Sequence, residues 1–304
     1  MRVAVTGATG IVGQFVVGRL LREGCRVAAL ARAGTDRSIC PGDVEWIGGD
    51  LGDQAALDAL VGGADGLVHC AFQHLPGRYR GGEGDDVPGF WRINLGGTID
   101  LLEAAAGAGV ARTVLMSSRA VFGLPVEGPI GDAHRTAATT HYGAMKAATE
   151  ALAGVYRDVV ALRPTGVYGV VRPLTRTKWL GLAEDVAAGR PVGVSRSGTE
   201  VHGEDVADAA WRLLTAPSAT VAGRVFNCSD IAVETRVIVH RMRAALGRPG
   251  PLPAAALPAG NVLRCDGLHA LGWRPGGDAR LQEEIDALCA LVRERGAGPV
   301  SDGR

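Results

Sequence analysis

Short apolar runs alternate with longer stretches of helical periodicity through the first half of the chain. Runs at residues 2–5, 26–31, 44–47, 66–70, 113–116 and 159–162 predict strands. Between them, residues 11–22, 54–61, 90–106 and 141–156 repeat apolar positions every three or four residues and predict helices. Strand–helix alternation of this kind calls for a parallel sheet covered on both faces. Right-handed crossovers then make it an α/β, doubly wound parallel sheet.

After about Pro164 the rhythm changes. Residues 174–188, 205–214, 236–245 and 281–292 read as helices, with short strands near Val201 and Val225. Leu281, Ile285, Leu288 and Val292 fall at i, i+4, i+7 and i+11, an amphipathic face for docking on a neighbour. The expected division is a dinucleotide-binding domain over residues 1–165 and a smaller, mostly substrate-binding C-terminal lobe over 166–295. The strand near Val225 is free to rejoin the main sheet. Residues 296–304 are mostly small and polar and read as a frayed tail. The Gly-rich stretch 77–89 is the one long loop, and no internal repeat is visible.

Composition narrows the function classes. The chain has 304 residues, 47% hydrophobic and 21% charged, enough to bury a sizeable core. Lys plus Arg equals Asp plus Glu at 32 each, so no extended basic footprint for nucleic acid or an anionic membrane is expected. A local basic pocket stays compatible with that balance. The six cysteines (25, 40, 70, 228, 265 and 289) include no C-x-x-C pair, so neither a zinc site nor a disulfide framework is expected. Strand pattern begins at Arg2 and no apolar run approaches ~18 residues, which leads to the expectation of a cytoplasmic protein without a membrane span.

The string Gly7-Ala8-Thr9-Gly10-Ile11-Val12-Gly13 follows the first strand and opens the first helix. Glycines there permit a tight turn and let backbone N–H groups approach a pyrophosphate, while the helix start contributes positive potential. In that context the string points to a Rossmann-type dinucleotide site. The second strand ends at Leu30-Ala31-Arg32, with Arg37 close by and no acid at the strand end. An acid there would bond a ribose 2′-hydroxyl, whereas Arg suits a 2′-phosphate. NADP is therefore favoured, and NAD stays open through Asp36. Asp50 and Leu51 close the third strand, where a carboxylate reaches an adenine amino group. Helix capping is an equal account of Asp53 and a fair one of Asp50. Cys70 and Ala71 end the fourth strand beside the cofactor, and His69 reads as packed.

Tyr142 and Lys146 stand at i and i+4, so both project from one helix face. A phenol of pKa about 10 is a poor base at neutral pH. A nearby ammonium favours the phenolate, and the tuned Tyr then exchanges a proton with a substrate oxygen as hydride moves. Upstream, the strand Val114-Leu115-Met116 runs into Ser117-Ser118-Arg119-Ala120-Val121, and a hydroxyl there is placed to bond a substrate carbonyl.

Taken together, these strings resemble the extended short-chain dehydrogenase/reductases, the group that includes nucleotide-sugar epimerases and dehydratases. The resemblance covers nearly the whole chain. It takes in the glycine turn, Gly49-Asp50-Leu51, Asn94-Leu95-Gly96-Gly97-Thr98, the serine strand and Tyr142/Lys146. It continues through Leu162-Arg163-Pro164-Thr165-Gly166-Val167-Tyr168-Gly169, Val201-His202-Gly203-Glu204-Asp205-Val206 and Leu271-Gly272-Trp273-Arg274-Pro275. It implies Ser118 as the carbonyl-binding serine, a second role for Lys146 on the nicotinamide ribose, and Asn94 steadying the cofactor pocket. Pro164, Gly166 and Val167 would border the cofactor, and members pair as homodimers through the helices at 90–106 and 141–156.

Departures from the pattern matter as much. Nucleotide-sugar members carry Asn at the place of Gly166 and Arg at that of Gly198, groups that hold a diphosphate; Arg196 is a substitute to consider. The acids that 4,6-dehydratases carry after the catalytic hydroxyl are replaced by Arg119 and Ala120. Arg119 either meets an anionic or oxygen-rich substrate group or pairs with a neighbouring acid. Three readings follow: a reductase or dehydrogenase acting on a carbonyl/alcohol of a small substrate, a sugar-derived one included; an epimerase that oxidises transiently; and a dinucleotide-binding sensor without chemistry. The last class tends to lose Tyr or Lys, and both are present.

Overall fold

A computed structural model describes residues 1–75, 78, 81–125, 128–193 and 195–297. The chain forms two compact units. The first comprises Met1–Thr165, Gly203–Ser229 and Asn261–Arg274; the second comprises Gly166–His202, Asp230–Gly260 and the described part of Pro275–Arg304.

The first unit is built on a parallel seven-stranded sheet. Its strands are β1 (Arg2–Thr6), β2 (Arg26–Ala31), β3 (Glu45–Gly48), β4 (Gly66–His69), β5 (Arg112–Met116), β6 (Val159–Pro164) and, after an excursion through the second unit, a strand at Val225–Cys228. The order is β3-β2-β1-β4-β5-β6 followed by that last strand. All pairings are parallel; the connections cross over through helices except that from β2 to β3, which is an irregular loop. Helix α1 (Ile11–Arg22) follows β1, α2 (Gln54–Val61) follows β3, α3 (Val87–Trp91) and α4 (Gly97–Gly107) follow β4, and α5 (His141–Ala151) follows β5. One face buries Leu57, Leu60, Leu67 and Leu101 between the sheet, α2 and α4. Strand β4 is buried at every residue, as a central strand covered on both sides must be.

The second unit holds a three-stranded sheet. It consists of β7 (Gly166–Tyr168), β8 (Ser197–His202) and, later in the chain, β10 (Ile231–Glu234), so the Val225–Cys228 strand is β9. β8 is central, parallel to β7 and antiparallel to β10. Helix α6 (Leu180–Ala187) belongs to this unit, whereas α7 (Gly203–Thr215), α8 (Ser218–Val221) and α10 (Asp266–Ala270) belong to the first. Helices α9 (Thr235–Leu246) and α11 (Gly277–Ala297) complete the second unit. Leu281, Ile285, Leu288 and Val292 are buried against Tyr168, Leu180, Ile238 and Met242, the face that their spacing predicted.

Several boundaries differ from the sequence reading, each for a local reason. The segment after residue 165 is not one lobe: it re-enters the first unit twice. β9 pairs Ala161 with Val225 and Pro164 with Cys228, satisfying the backbone edge of β6. The helix expected at 90–106 is two helices joined by a π-helical turn, Arg92–Gly96. There the Asn94 amide donates to the Phe90 carbonyl at 2.9 Å, in competition with the backbone ladder. The stretch 174–188 begins as a 3₁₀ turn, Leu174–Arg176, and is broken at Trp179, whose φ of 65° is left-handed. Of the expected loop 77–89, residues 77, 79 and 80 lie outside the described residues, and 87–89 already belong to α3. The tail at 298–304 lies outside them too. No helix among the described residues is long and apolar enough to cross a membrane.

Candidate active site

The turn after β1 lies where the strand order reverses, since β1 has β2 on one side and β4 on the other. Open parallel sheets bind ligands at the carboxyl ends of strands at such a point. Gly7 has φ of 70°, and a Cβ there would stand 2.6 Å from the Ala71 nitrogen at the end of β4. Only glycine lets the turn pass that close. Gly10 N–H bonds the Gly7 carbonyl at 2.8 Å, and Gly10 itself stands at the N-cap of α1 without a side chain. The first turn of α1 carries no acid, so Thr9, Ile11, Val12 and Gly13 present backbone and helix-start potential to an anion. A pyrophosphate fits that cradle.

Arg32 and Arg37 are both exposed beyond β2, and the Arg37 guanidinium lies 5.5 Å over the Trp46 ring. Asp36 turns inward on its own loop, accepting from Ser38 N at 3.0 Å and Ser38 Oγ at 2.6 Å. Asp50 accepts from Gly52 N at 2.8 Å, while Asp53 caps α2 through Ala56 N at 3.1 Å. Leu51 is buried under that turn.

At the end of β4, His69 is spoken for on both nitrogens: Nδ1 meets Thr6 Oγ1 at 2.6 Å and Nε2 meets Thr98 Oγ1 at 3.0 Å. Burial, and then the Lys146 charge, hold its pKa down at about 3, so it stays neutral and packed. Burial pushes the Cys70 thiol up to about 12, which makes it inert as a nucleophile. Asn94 uses its side chain on the loop after β4. Its Oδ1 accepts from Gln73 N at 2.8 Å, and its Nδ2 donates to Gln73 O at 2.9 Å. Steadying that loop is a backbone role, played from inside the π turn.

Helix α5 carries the candidate chemistry. Thr140 caps it by accepting from Gly143 N at 3.0 Å. A Cβ at Gly143 would overlap the Ala120 carbonyl, so this glycine lets α5 lie directly on the turn that follows β5. That turn is a 3₁₀ helix, Arg119–Phe122, capped by Ser118, whose Oγ accepts from Ala120 N at 3.2 Å. Tyr142, one residue before Gly143, is half-buried and meets the Phe72 ring edge-on at 5.1 Å. Lys146 is 6% exposed; its ammonium donates to the Met116 carbonyl at 2.7 Å and lies 4.2 Å from the Phe72 ring centre. Burial lowers its pKa to about 8, against the upward pull of Cys70 and Glu150.

Behind this pair stands a buried network the sequence reading missed. Glu150, one turn beyond Lys146, accepts from Ser117 Oγ and, in a two-point contact, from Arg163 Nε at 2.7 Å and Nη2 at 2.8 Å. The i+4 spacing from Lys146 was the available signal for Glu150. Phe72 had none, since it follows the end of β4 in a segment with no periodicity. Arg119 is half-buried in the 3₁₀ turn, and Pro164 ends β6. Gly166 and Val167 stand in β7, and Arg196 is exposed before β8 with its backbone bonded to Thr235. The first unit thus gathers the glycine turn, Cys70, Ala71, Asn94, Ser118, Tyr142, Lys146 and Pro164, while Gly166, Val167 and Arg196 belong to the second. Among the described residues no cluster of three or more His, Cys, Asp or Glu is arranged to hold a metal ion.

Residues 3–229 match the sequence model of the family described as NAD dependent epimerase/dehydratase. A UDP-glucose 4-epimerase of Corynebacterium glutamicum is 28% identical over 309 residues, covering 90% of this chain and 91% of that one. A UDP-glucose 4-epimerase of Streptomyces lividans is 36% identical over 152 residues, 48% of this chain and 44% of that enzyme's length. Among solved structures, the Thermus thermophilus UDP-glucose 4-epimerase in complex with NAD superposes with a TM-score of 0.77 at 27% identity, over 98% of this chain and all of that one.

Proposed function

Because the chain belongs to the NAD dependent epimerase/dehydratase family, we propose that it moves a hydride between a nicotinamide cofactor and a carbonyl/alcohol of a small substrate, sugar-derived ones included. The observation that carries this reading is the placement of Tyr142 and Lys146 on α5, laid by Gly143 against the turn that Ser118 caps. The bound nicotinamide supplies or takes up the hydride. Ser118 Oγ holds the substrate oxygen, and Tyr142 gives that oxygen a proton in reduction or removes one in oxidation. Lys146, anchored on the Met116 carbonyl, bonds the cofactor ribose and favours the Tyr142 phenolate by its charge. The glycine turn and the start of α1 hold the pyrophosphate.

NADP is the proposed cofactor. Arg32 and Arg37 are available to a 2′-phosphate, and Asp36 spends its carboxylate on Ser38. A homodimer through α4 and α5 belongs to the same reading, as does a cytoplasmic location, where six cysteines outside any disulfide stay reduced.

The second reading is an epimerase, favoured by the full-length similarity to a UDP-glucose 4-epimerase. The assay that separates them mixes purified protein with NADPH or NADH and a panel of ketones, lactones, sugars and nucleotide sugars. Net cofactor turnover identifies the oxidoreductase. Stereoisomer exchange with retained cofactor and no net turnover identifies the epimerase. Tyr142→Phe keeps the ring and removes the transferable proton, so it should cut turnover by roughly 10²–10⁴-fold while cofactor affinity holds. Most of the turnover surviving in that variant would rule the mechanism out.

A further inference from the structure

Lys146 and Lys178 are the two lysines of the sequence, in which every other strongly basic side chain is an arginine. A guanidinium keeps its charge at any working pH, whereas a buried ammonium gives it up when its partners do not replace lost water. The surroundings of Lys146 therefore decide whether it is a cation. Its ammonium meets the Met116 carbonyl at 2.7 Å and lies 4.2 Å over the centre of the Phe72 ring. The end of β4 brings His69, held neutral, and the Cys70 thiol, pushed up to about 12. From α5 itself come Tyr142 and Glu150, whose carboxylate is divided between Ser117 and Arg163. Among these groups the Phe72 ring offers a fixed negative face to a cation without its water.

The ring is held from both sides along the chain. Ala71 N–H donates to Thr6 Oγ1 at 3.2 Å, and the Asn94 amide takes both the N–H and the carbonyl of Gln73, at 2.8 and 2.9 Å. The same amide donates to the Phe90 carbonyl at 2.9 Å. The Phe90 ring, buried in α3, crosses Phe72 at 79° with centres 5.6 Å apart. Asn94 thus ties down the backbone of Phe90 and of the residue next to Phe72. Tyr142 crosses Phe72 at 85° with centres 5.1 Å apart, and His74 lies tilted 5.7 Å from it. One ring therefore touches both Tyr142 and Lys146, and all these residues belong to the first unit.

We propose that Phe72 is a positioning residue for the Tyr142–Lys146 pair: its ring face takes the place of water at the Lys146 ammonium, and its contact with the Tyr142 ring fixes the phenol one helical turn away. The inference rests on the hydride-transfer reading and adds to it a group that exchanges neither proton nor hydride. A leucine at this position fills much of the volume but presents no quadrupole, so the ammonium releases its proton more readily. Once Lys146 is neutral, the Tyr142 phenolate loses its supporting charge. A tyrosine keeps the ring and, with it, both contacts.

The test follows the two lysines by carbon NMR in the cofactor-free full chain labelled at lysine Cε, with Lys178→Arg identifying the Lys146 signal. Wild-type Lys146 should titrate near 8, and in Phe72→Leu about one pH unit lower, a tenfold change in its ionisation equilibrium. Phe72→Met, equally without a ring, should move the same way, and Phe72→Tyr should stay with wild type. On a panel compound that wild type turns over, the pH above which kcat falls should drop by the same interval in the ringless variants, with KM changing less. A Lys146 midpoint unchanged in both ringless variants overturns the proposal, as does one that falls equally in Phe72→Tyr. So does an ordinary midpoint near 10.5 in wild type, a result that needs no variant to fold. The titration is read without turnover, so a chain whose Lys146 responds to Phe72 as stated yet converts nothing in the panel counts against the hydride-transfer reading alone.

Discussion

Lys146 buries its ammonium at the end of β5, where the Met116 carbonyl, the Phe72 ring and the pull of Cys70 and Glu150 partly offset lost water. Its pKa of about 8 lies below the ordinary 10.5 of a solvated Lys. The consequence for stability follows from proton binding. Below about pH 8 both folded and unfolded chains hold the proton, and the fold bears the full cost of the buried charge. From there to about 10.5 the unfolded chain binds more, so this group's contribution to stability rises with pH. Cofactor-free wild type should therefore gain on Lys146→Met across that window in urea denaturation; a constant gap would mean that Lys146 titrates as if in water. Arg32 carries a second prediction at this scale. Charge-assisted contacts to a 2′-phosphate are worth roughly 1.5–3 kcal/mol, about 10- to 150-fold in affinity. NADPH should bind at least about tenfold tighter than NADH at low salt, with the gap shrinking as ionic strength rises. Arg32→Asp should narrow or invert it. Equal affinities in wild-type calorimetry would place Arg32 in solvent and give the ribose to another group.

Helix α5 owes its register to three ties from its inner face: Lys146 to Met116, Glu150 to Ser117, and Glu150 to Arg163 of β6. Arg163 is itself fixed by the Asp132 carbonyl at 2.9 Å and by the Phe122 ring at 4.9 Å. Both partners of the pair are about 5% exposed in their side chains. Removing one leaves a buried charge alone, a loss of about 3–5 kcal/mol, whereas removing both spares that penalty. Arg163→Met should accordingly destabilise strongly, and Glu150→Gln added to it should recover a good part. Urea midpoints that fall additively in the double variant would show that the pair is not coupled. Such ties explain what the sequence does and does not reveal. The inner strands of the sheet were legible because burial on both faces writes a continuous apolar run, and Tyr142 and Lys146 because one helix face holds both. Glu150 and Arg163 meet across elements, and β7 and β10 are three and four residues long, too short for periodicity to register. The left-handed break at Trp179 and the π turn at Asn94 depend on partners that no local window contains.

At the scale of the whole molecule, the outer faces of α4 and α5 remain to be accounted for. Beyond the end of α5, the Tyr156 hydroxyl meets Glu103 Oε1 of α4 at 2.7 Å. Their inner faces bury Leu101, Leu102 and Met145. Ile99 of α4 and Ala144 and Ala148 of α5 are half-buried in the single chain, and Val155, just beyond α5, is 76% exposed. Small and branched apolar residues at helical spacing suit a second pair of helices packed across a twofold axis, the self-complementary contact of a symmetric dimer. A formal net charge of zero sets no long-range repulsion against it. Sedimentation equilibrium at micromolar concentration should give twice the chain mass. Ile99→Lys combined with Val155→Lys places charges on the patch and should return a monomer that still binds NADPH, because the glycine turn lies on other elements. A wild-type chain that sediments as a monomer throughout that range, or a double variant that stays dimeric, would move the contact away from α4 and α5.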